Sequence, residues 1–241
     1  KKCDGVIFPT ESMHRSAGVI GTRSFILPTG LEEKSYEVDK EKSEKVRKAY
    51  IGNKKYLFIT VSRVTKEKNI GFMIEAIPLL KAMIGDCFKF LIVGSGDMVE
   101  ELNSRAMELG IAENVEFTGR IDNSELSDYY GASDLFLFSS QTETQGIVLL
   151  EAMAQGVPVV AINATGVCDI IKDGQNGYLS EDDKEDWCKC IVSALDKDEL
   201  RKGAIQTARQ YTCSNIADRA TEIYRQVITS YKSYYNGRNL I

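Results

Sequence analysis

The feature that most constrains the fold of this chain is a regular alternation of short apolar runs with segments of helical periodicity. The first run, Tyr56–Ser62, is almost continuously apolar, as expected of a strand that is buried on both faces. The segment 70–82 then repeats apolar residues at helical spacing. Further apolar runs occupy 88–93, 115–118, 135–138, 157–162 and 177–179. This alternation predicts an α/β fold, a Rossmann-like parallel sheet with helices on both faces.

Helices are expected between the apolar runs, and side chains that can cap a helix mark some of their starts. Ser124 is a suitable N-cap for a helix over 124–132, and Ser214 is one for the last helix of the tail. A short helix is also expected near 166–172, between the last two strands.

The alternation also predicts how the chain is divided. The charge-rich stretch 31–55 predicts a linker with a surface helix, and the tail has helical character. The first thirty residues hold two short apolar runs, and nothing precedes the first run that could pair with it. We therefore interpret the start as the end of another domain and the chain as a piece of a longer protein. The predicted parts are a closing segment 1–30, a linker 31–55, a Rossmann-like domain 56–211, and a C-terminal helix and tail 212–241.

The composition argues against several classes of function. The net charge is −5 and the pI about 5.2, with acidic and basic residues interspersed, so we expect no nucleic-acid partner. No apolar run approaches the ~20 residues of a membrane span, so we expect a cytoplasmic protein with at most peripheral contact at the inner face of the membrane. With six cysteines at no zinc-ligand spacing and His14 as the single histidine, we expect reduced, structural cysteines and no metal site.

The candidate site lies in the loops that follow the predicted strands, because ligands of parallel sheets bind beyond the carboxyl ends of the strands, where the strand order reverses. Glycine in such loops allows a ligand to approach the backbone closely. Gly94 and Gly96 lack the third glycine of the dinucleotide fingerprint, so NAD is not expected. The loops are Ser62-Arg63, Gly94-Ser95-Gly96, Gly119-Arg120, Ser139 to Gly146, and Ala164-Thr165-Gly166.

Two cations, Arg63 and Lys68, lie between the end of one strand and the start of the next helix. A diphosphate needs positive charge at two oxygens, and arginine can bind in a fork while lysine acts as a point charge. A solvated basic loop is the alternative interpretation, and the loop taken by itself favours that alternative.

Two carboxylates flank a predicted helix start at Gly146. Free amides and the helix dipole there form an anion site, with Glu143 before it and Glu151 inside the helix. One carboxylate could accept both hydroxyls of a ribose, and the other a sugar hydroxyl. The alternative is an exposed loop acid and a surface helix acid. However, Glu151 lies among apolar residues, and an acid in such surroundings needs a partner.

Taken together, these residues resemble the C-terminal half of the family 4 retaining glycosyltransferases, which have the two-Rossmann GT-B fold. Within that family, Pro28-Thr-Gly30 and Thr142-Glu-Thr-Gln-Gly146 are most similar to bacterial diacylglycerol glucosyltransferases, which use UDP-glucose. The motifs that carry the resemblance are Pro28-Thr-Gly30, Ser62-Arg63, Glu67-Lys68-Asn69, Gly94-Ser-Gly96-Asp97, Val115 to Gly119, Ala132-Ser-Asp134, and Glu143 through Ala161 with its Gly156-Val-Pro158-Val-Val.

The resemblance implies roles for individual residues. Arg63 and Lys68 would hold the donor diphosphate, Glu151 the ribose, and the backbone near Arg120 the base. Glu143 is the catalytic candidate near the donor sugar. No metal and no cofactor are implied, because the cations and the helix start would neutralise the leaving diphosphate. The full set of implied donor-binding residues is Arg63, Lys68, Gly94, Gly96, Arg120, Ile121, Thr144, Gln145, Gly146, Ile147 and Glu151.

The activity implied is retaining transfer of a hexose from a UDP-hexose to a lipid or glycan acceptor. UDP-glucose is the favoured donor. The acceptor site would belong to an N-terminal Rossmann domain, so this chain alone is expected to be inactive. His14 does not match that domain's site histidine. Two alternatives stay open: a nucleotide-sugar-binding module without catalysis, or another GT-B enzyme such as a nucleotide-sugar epimerase or a phosphorylase.

Overall fold

The computed structural model describes residues 3–19 and 22–236, with the backbone alone described for 232–236. The ends of the predicted first and last parts, 1–2 and 237–241, lie outside the described residues. The strands are β1 (Val6–Phe8), β2 (Ser24–Ile26), β3 (Tyr56–Val61), β4 (Phe88–Val93), β5 (Val115–Gly119), β6 (Leu135–Phe138), β7 (Val159–Ile162) and β8 (Gly177–Ser180). The α-helices are α1 (Glu11–Ala17), α2 (Lys40–Tyr50), α3 (Ile70–Ile84), α4 (Val99–Glu108), α5 (Leu126–Gly131), α6 (Ile147–Ala154), α7 (Lys184–Ala194), α8 (Asp198–Ala208) and α9 (Cys213–Asn236).

The main sheet has six strands, all parallel, in the order β5-β4-β3-β6-β7-β8. The prediction of a Rossmann-like α/β fold is therefore confirmed. The strand order reverses between β3 and β6, which pair through Phe58 and Leu135. Crevices at such a reversal are where parallel sheets bind ligands.

Two apolar layers enclose the main sheet, and the alternation of side chains along β3 shows how they form. Phe58 packs into the layer that α3, α4 and α7 cover, whereas Leu57 and Ile59 pack into the layer formed with α5, α6 and α8. All three side chains are fully buried. Each buried side chain of this size contributes about 1.5–3 kcal/mol, so the two layers fix the strand ends that carry the loops above them.

The N-terminal segment is a small β-α-β unit. β1 pairs with β2 in parallel, with Val6 opposite Ser24, and α1 connects them. The strand that pairs with β1 follows it in the chain, so the lack of a preceding partner does not leave β1 unpaired. α1 was not predicted because 11–17 is short and polar and lacks an apolar period. Its start is fixed by Thr10, whose hydroxyl accepts from the amide of Met13.

Three expected helix features differ in the structure. Near 166–172 there are hydrogen-bonded turns and no helix, and the amide of Lys172 is taken by the side chain of Asn176. Ser124 does not cap α5, because its amide and hydroxyl both donate to the carboxylate of Asp122. The last helix is capped by Thr212, whose hydroxyl accepts from the amide of Asn215, so Ser214 lies inside the helix.

Two chain segments connect the β1-α1-β2 unit to the main sheet, and they pair with each other. Leu31 lies on the segment that leaves β2, and it bridges Thr212 on the segment that leads into α9. The amide of Leu31 donates to Tyr211 O at 2.7 Å, and the amide of Cys213 donates to Leu31 O at 3.0 Å. α9 then returns along the small unit, where Arg219 donates to Ile26 O. The two segments that connect the small unit to the main sheet thus form one paired junction.

Candidate functional site

A pocket of about 750 Å³ opens at the carboxyl ends of β3, β4 and β5. The start of α6 and the segment 30–35 close its other sides. Six of the predicted site residues line it: Arg63, Gly94, Arg120, Ile121, Ile147 and Glu151. Six others are not among its lining residues: Lys68, Gly96, Glu143, Thr144, Gln145 and Gly146. Lining residues that the sequence did not reveal include Lys34, Asn123, Ser127 and Tyr130.

Two glycines let the loop after β4 pack against the loop after β3. A Cβ at Gly94, whose φ is +140°, would lie 1.9 Å from Ser62 O. A Cβ at Gly96 would lie 2.0 Å from Val64 O. Both contacts are far inside van der Waals distance, so the close approach of the two loops accounts for both glycines. Gly94 also borders the pocket, whereas Gly96 supports it from outside.

The two predicted phosphate-binding cations are each paired with a carboxylate. Arg63, with 70% of its side chain exposed, makes an ion pair with Glu67 four positions further along the same loop. Lys68 is held more firmly: its Nζ lies 2.6 Å from Glu143 Oε1, and the exposed fractions of the two side chains are 19% and 14%. An anionic ligand would therefore meet cations that already have partners, and it would have to share or displace them.

The start of α6 has the geometry of an anion site. Gly146 is its N-cap, with φ +71° and no side-chain cap, so the first amides of the helix have no side-chain acceptor at that residue. The following residues, Ile147 and Val148, border the pocket. Unpaired amides and the positive end of the helix dipole favour a phosphate or a carboxylate at this point.

Glu151 faces the same pocket from inside α6. Burial raises its pKa above the ordinary value of 4.5, and the hydrogen bond from Tyr130 lowers it in part. The Tyr130 hydroxyl donates to Glu151 Oε2 at 2.9 Å, and burial together with the neighbouring carboxylate raises the pKa of Tyr130. This tyrosine is the partner that the apolar surroundings of Glu151 required. The aromatic residue at 130 was visible in the sequence, but its contact spans 21 residues and no local pattern indicates it.

The loop that carries Glu143 is bonded on its other side to the β1-α1-β2 unit. Thr10 Oγ1 donates to Thr144 O at 3.1 Å. The side chain of Gln145 bonds the backbone of Thr29. In this structure Thr144 and Gln145 thus support the loop, and a role for them in donor binding stays a prediction.

Across 3–19 and 22–236, no group of three or more His, Cys, Asp or Glu side chains is arranged to hold a metal ion. In the same ranges no helix combines the length and apolar character that crossing a bilayer requires. The six cysteines are free, and burial raises the pKa of Cys188 to about 12, so this thiol is unreactive.

Comparison with known proteins gives a family match over most of the chain. Residues 41–211 match the family described as glycosyl transferases group 1. An alpha-monoglucosyldiacylglycerol synthase of Streptococcus pneumoniae is 30% identical over 94% of this chain and 53% of its own length. A GDP-mannose-dependent phosphatidylinositol monomannoside mannosyltransferase of Mycolicibacterium smegmatis is 31% identical over 77% of this chain and 50% of its own length. The chain therefore spans about half the length of these curated relatives.

The solved structures extend the comparison to the fold. A crystal structure of HepE from Anabaena in complex with UDP and glucose superposes with a TM-score of 0.81 at 21% identity. The superposition covers 93% of this chain and 64% of that one. At this level of identity the likeness shows a shared fold, and the ligands of HepE are properties of HepE.

Proposed function

The chain belongs to the group 1 glycosyltransferases, and from that membership we propose that it is the donor-binding half of a retaining enzyme. The proposed reaction moves a hexose from UDP-glucose to a lipid or glycan acceptor. In this proposal 56–211 binds the donor, and 1–30 closes an N-terminal Rossmann domain that brings the acceptor. The match to about half the length of its relatives supports this division. We also propose a cytoplasmic location with at most peripheral membrane contact.

The observation that carries the proposal is the combination of groups around one pocket. A cation, Arg63, and the uncapped start of α6 border the same space as the carboxylate of Glu151. A nucleoside diphosphate needs these groups: positive charge and amides for the phosphates, and a carboxylate that can accept from the ribose diol. The carboxylate of Glu151 can accept more than the one bond from Tyr130, so it has capacity for the ribose.

The proposed roles follow from position. The diphosphate would lie at the amides of Gly146 and Ile147, within reach of Arg63 and Lys68, which would stabilise its charge as it leaves. The nucleoside would extend toward Glu151 and Ile121. The hexose would extend toward Glu143, where a carboxylate supports C1 as it gains positive charge. No step of this proposal calls for a metal ion.

The proposal is tested by calorimetry with UDP, GDP, ADP and NAD. We expect UDP to bind most tightly, with an affinity in the micromolar range or weaker. NAD binding without a response to UDP would contradict the proposal. The purified chain is expected not to transfer sugar, and fast transfer by it alone would contradict the division into a donor half and an acceptor half.

A GDP-sugar is the second candidate donor, because the Mycolicibacterium smegmatis relative is GDP-mannose-dependent. The same titrations decide between the two bases. If GDP binds more tightly than UDP, the donor class changes while the phosphate and ribose assignments stand. The non-catalytic module would instead be favoured if this chain binds UDP but the complete protein shows no turnover.

A further inference from the structure

Gln145 makes an unusual contact for a residue next to a ligand site. Its side chain is 5% exposed and lies two positions after Glu143. Gln145 Oε1 accepts from the amide of Thr29 at 2.7 Å, and Gln145 Nε2 donates to Thr29 O at 3.0 Å. One side chain thus satisfies both backbone polar groups of a residue 116 positions away.

Thr29 lies on the segment that leaves the β1-α1-β2 unit, two residues before the bridge between Leu31 and Thr212. This segment and its partner at 211–213 are the two chain connections between the small unit and the main sheet. Gln145 therefore links the loop after β6 to the junction itself. A shift of the small unit that carries Thr29 with it has to move this loop or break both bonds.

Two more contacts from the same unit reach the same neighbourhood. Thr10 Oγ1 donates to Thr144 O, and the amide of Gly166 donates to the hydroxyl of Ser12 at 2.8 Å. Gly166 packs so closely on the loop that a Cβ there would lie 2.7 Å from Glu143 O. The backbone of 143–145 is therefore held from the side of the small unit.

The carboxylate of Glu143 is held from the opposite side. Its partner Lys68 belongs to the loop between β3 and α3 on the main sheet. The loop that carries Glu143 is thus held by two parts of the molecule. The small unit holds its backbone, and the main sheet holds its carboxylate.

We propose that Gln145 is a positioning residue that couples the Glu143 loop to the junction between the small unit and the main sheet. By holding Thr29, it makes the place of Glu143, and hence the contact with the donor hexose, depend on the position of the small unit. The consequence for the hexose rests on the proposed function, whereas the coupling of the two segments does not.

The experiment compares Gln145→Met with a matched control, Gln155→Met. Gln155 follows the other end of α6, is 9% exposed, and donates to Ser35 O at 2.7 Å and Glu37 O at 3.0 Å. Both substitutions remove two hydrogen bonds from a buried glutamine at nearly constant volume, so similar losses of stability are expected. A role confined to stability would make the two variants behave alike in every assay.

Amide hydrogen exchange of the chain without ligand tests the coupling. In Gln145→Met we expect exchange to rise roughly three- to tenfold in both 27–31 and 142–147, the scale of one hydrogen bond. In Gln155→Met both segments are expected to exchange as in the wild type. Faster exchange confined to 27–31 in Gln145→Met, or equal changes in the two variants, would overturn the coupling.

Calorimetry with UDP and UDP-glucose tests its consequence. Gln145→Met is expected to weaken UDP-glucose roughly three- to tenfold while UDP changes less than twofold. Gln155 holds the pocket-lining residue Ser35, so any effect of Gln155→Met is expected to fall equally on both ligands and to leave the ratio of their affinities unchanged. Equal weakening of both ligands by Gln145→Met would overturn the consequence for the hexose. If the wild-type chain binds neither ligand, the proposed function fails, and the exchange result still decides the coupling because it needs no ligand.

Discussion

The two ends of β6 hold their charges in different ways. At the amino end, Asp134 precedes the strand and has three donors. Its Oδ2 accepts from the amide of Leu57 at 2.8 Å and from Arg47 at 2.9 Å, and its Oδ1 accepts from Arg201 at 3.2 Å. Arg47 comes from α2 and Arg201 from α8, so this one carboxylate joins two helices to the sheet.

At the carboxyl end, each charge has few partners, and these lie on loops or on a neighbouring helix. Glu143 has the ion pair with Lys68, and Glu151 has the hydroxyl of Tyr130. Arg63, whose side chain is largely exposed, pairs with Glu67 on its own loop. Arg63, Tyr130 and Glu151 line the pocket, whereas the Asp134 contacts join elements at the other end of the strand.

The partners of a charged residue separate those that stabilise the fold from those that can bind a ligand, even when both belong to the same family resemblance. Asp134 and Glu151 both occur in motifs of the resemblance. A charge with several donors from different elements stabilises the fold, because a ligand would have to replace all of them. A charge with one partner beside a pocket can exchange that partner for a ligand at small cost.

The largest expected effect is on stability at the amino end. Asp134→Ala would leave Arg47, Arg201 and the amide of Leu57 without their shared acceptor, and we expect a loss of roughly 3 kcal/mol or more in the free energy of unfolding. Urea denaturation measures it. The control is Glu41→Ala, which breaks an exposed pair with Lys45 and should cost about 0.5 kcal/mol or less. Equal losses in both variants would show that Asp134 is an ordinary surface acid.

The next effect is on binding at the carboxyl end. Arg63→Ala is expected to weaken UDP by about 1.5–3 kcal/mol, the scale of hydrogen bonds to charged groups, while uridine affinity stays nearly constant. Stability should change by about 0.5 kcal/mol or less, because the pair with Glu67 is exposed. Lys66→Ala, in the same loop and away from the pocket lining, is the matched control. Equal losses for UDP and uridine would show that Arg63 shapes the fold.

Much of the fold could be predicted because it depends on local periodicity. Apolar runs such as 56–62 identify buried strands, and the carboxyl-end rule then brings Arg63, Arg120 and Ile147 to one pocket. The missed helix α1 has no such period, and its start depends on the single side chain of Thr10. The segment 166–172 has apolar residues at helical spacing, but local bonds to Asn176 keep it as turns.

The parts of the site that could not be predicted depend on contacts between residues far apart in the chain. The pair of Lys68 with Glu143 spans 75 positions, and the bonds of Gln145 to Thr29 span 116. No spacing rule connects such positions, so the sequence showed these residues as separate candidates. The roles of the site residues toward a donor remain predictions, and the experiments on the carboxyl end address them.

A smaller effect is expected at Glu151, and it depends on pH. The folded chain raises the pKa of Glu151 above 4.5 by burial, so ionised Glu151 destabilises the folded state relative to the unfolded one. As the pH rises from about 4.5 through the folded pKa, the wild type should lose stability relative to Glu151→Gln. Urea denaturation of both proteins at several pH values across this window measures the difference between their free energies of unfolding. A constant difference across that window would contradict the raised pKa.

The same substitution should weaken the donor. A neutral amide binds a diol less well than a carboxylate does, so Glu151→Gln is expected to cost about 1 kcal/mol in UDP-glucose affinity near neutral pH. In the wild type this affinity should fall as the pH drops through the folded pKa of Glu151, and the fall should be absent in Glu151→Gln. Calorimetry at several pH values checks both.

The smallest expected effect has the opposite sign, and it separates the two glutamates. Glu143 holds Lys68 at 2.6 Å, and a diphosphate that binds Lys68 has to compete with that carboxylate. Glu143→Gln weakens the competitor, so UDP should bind about two- to threefold more tightly, the scale of a modest ion pair.

The double variant Lys68→Ala with Glu143→Gln is the control. If Lys68 contacts the diphosphate, Glu143→Gln should have no effect on UDP once Lys68 is removed. A gain that persists without Lys68 would instead reflect the general negative charge near the phosphates. If Glu143→Gln weakens UDP more than Glu151→Gln does, then Glu143 binds the nucleoside, and the ribose and hexose ends of the pocket are the reverse of the proposed ones.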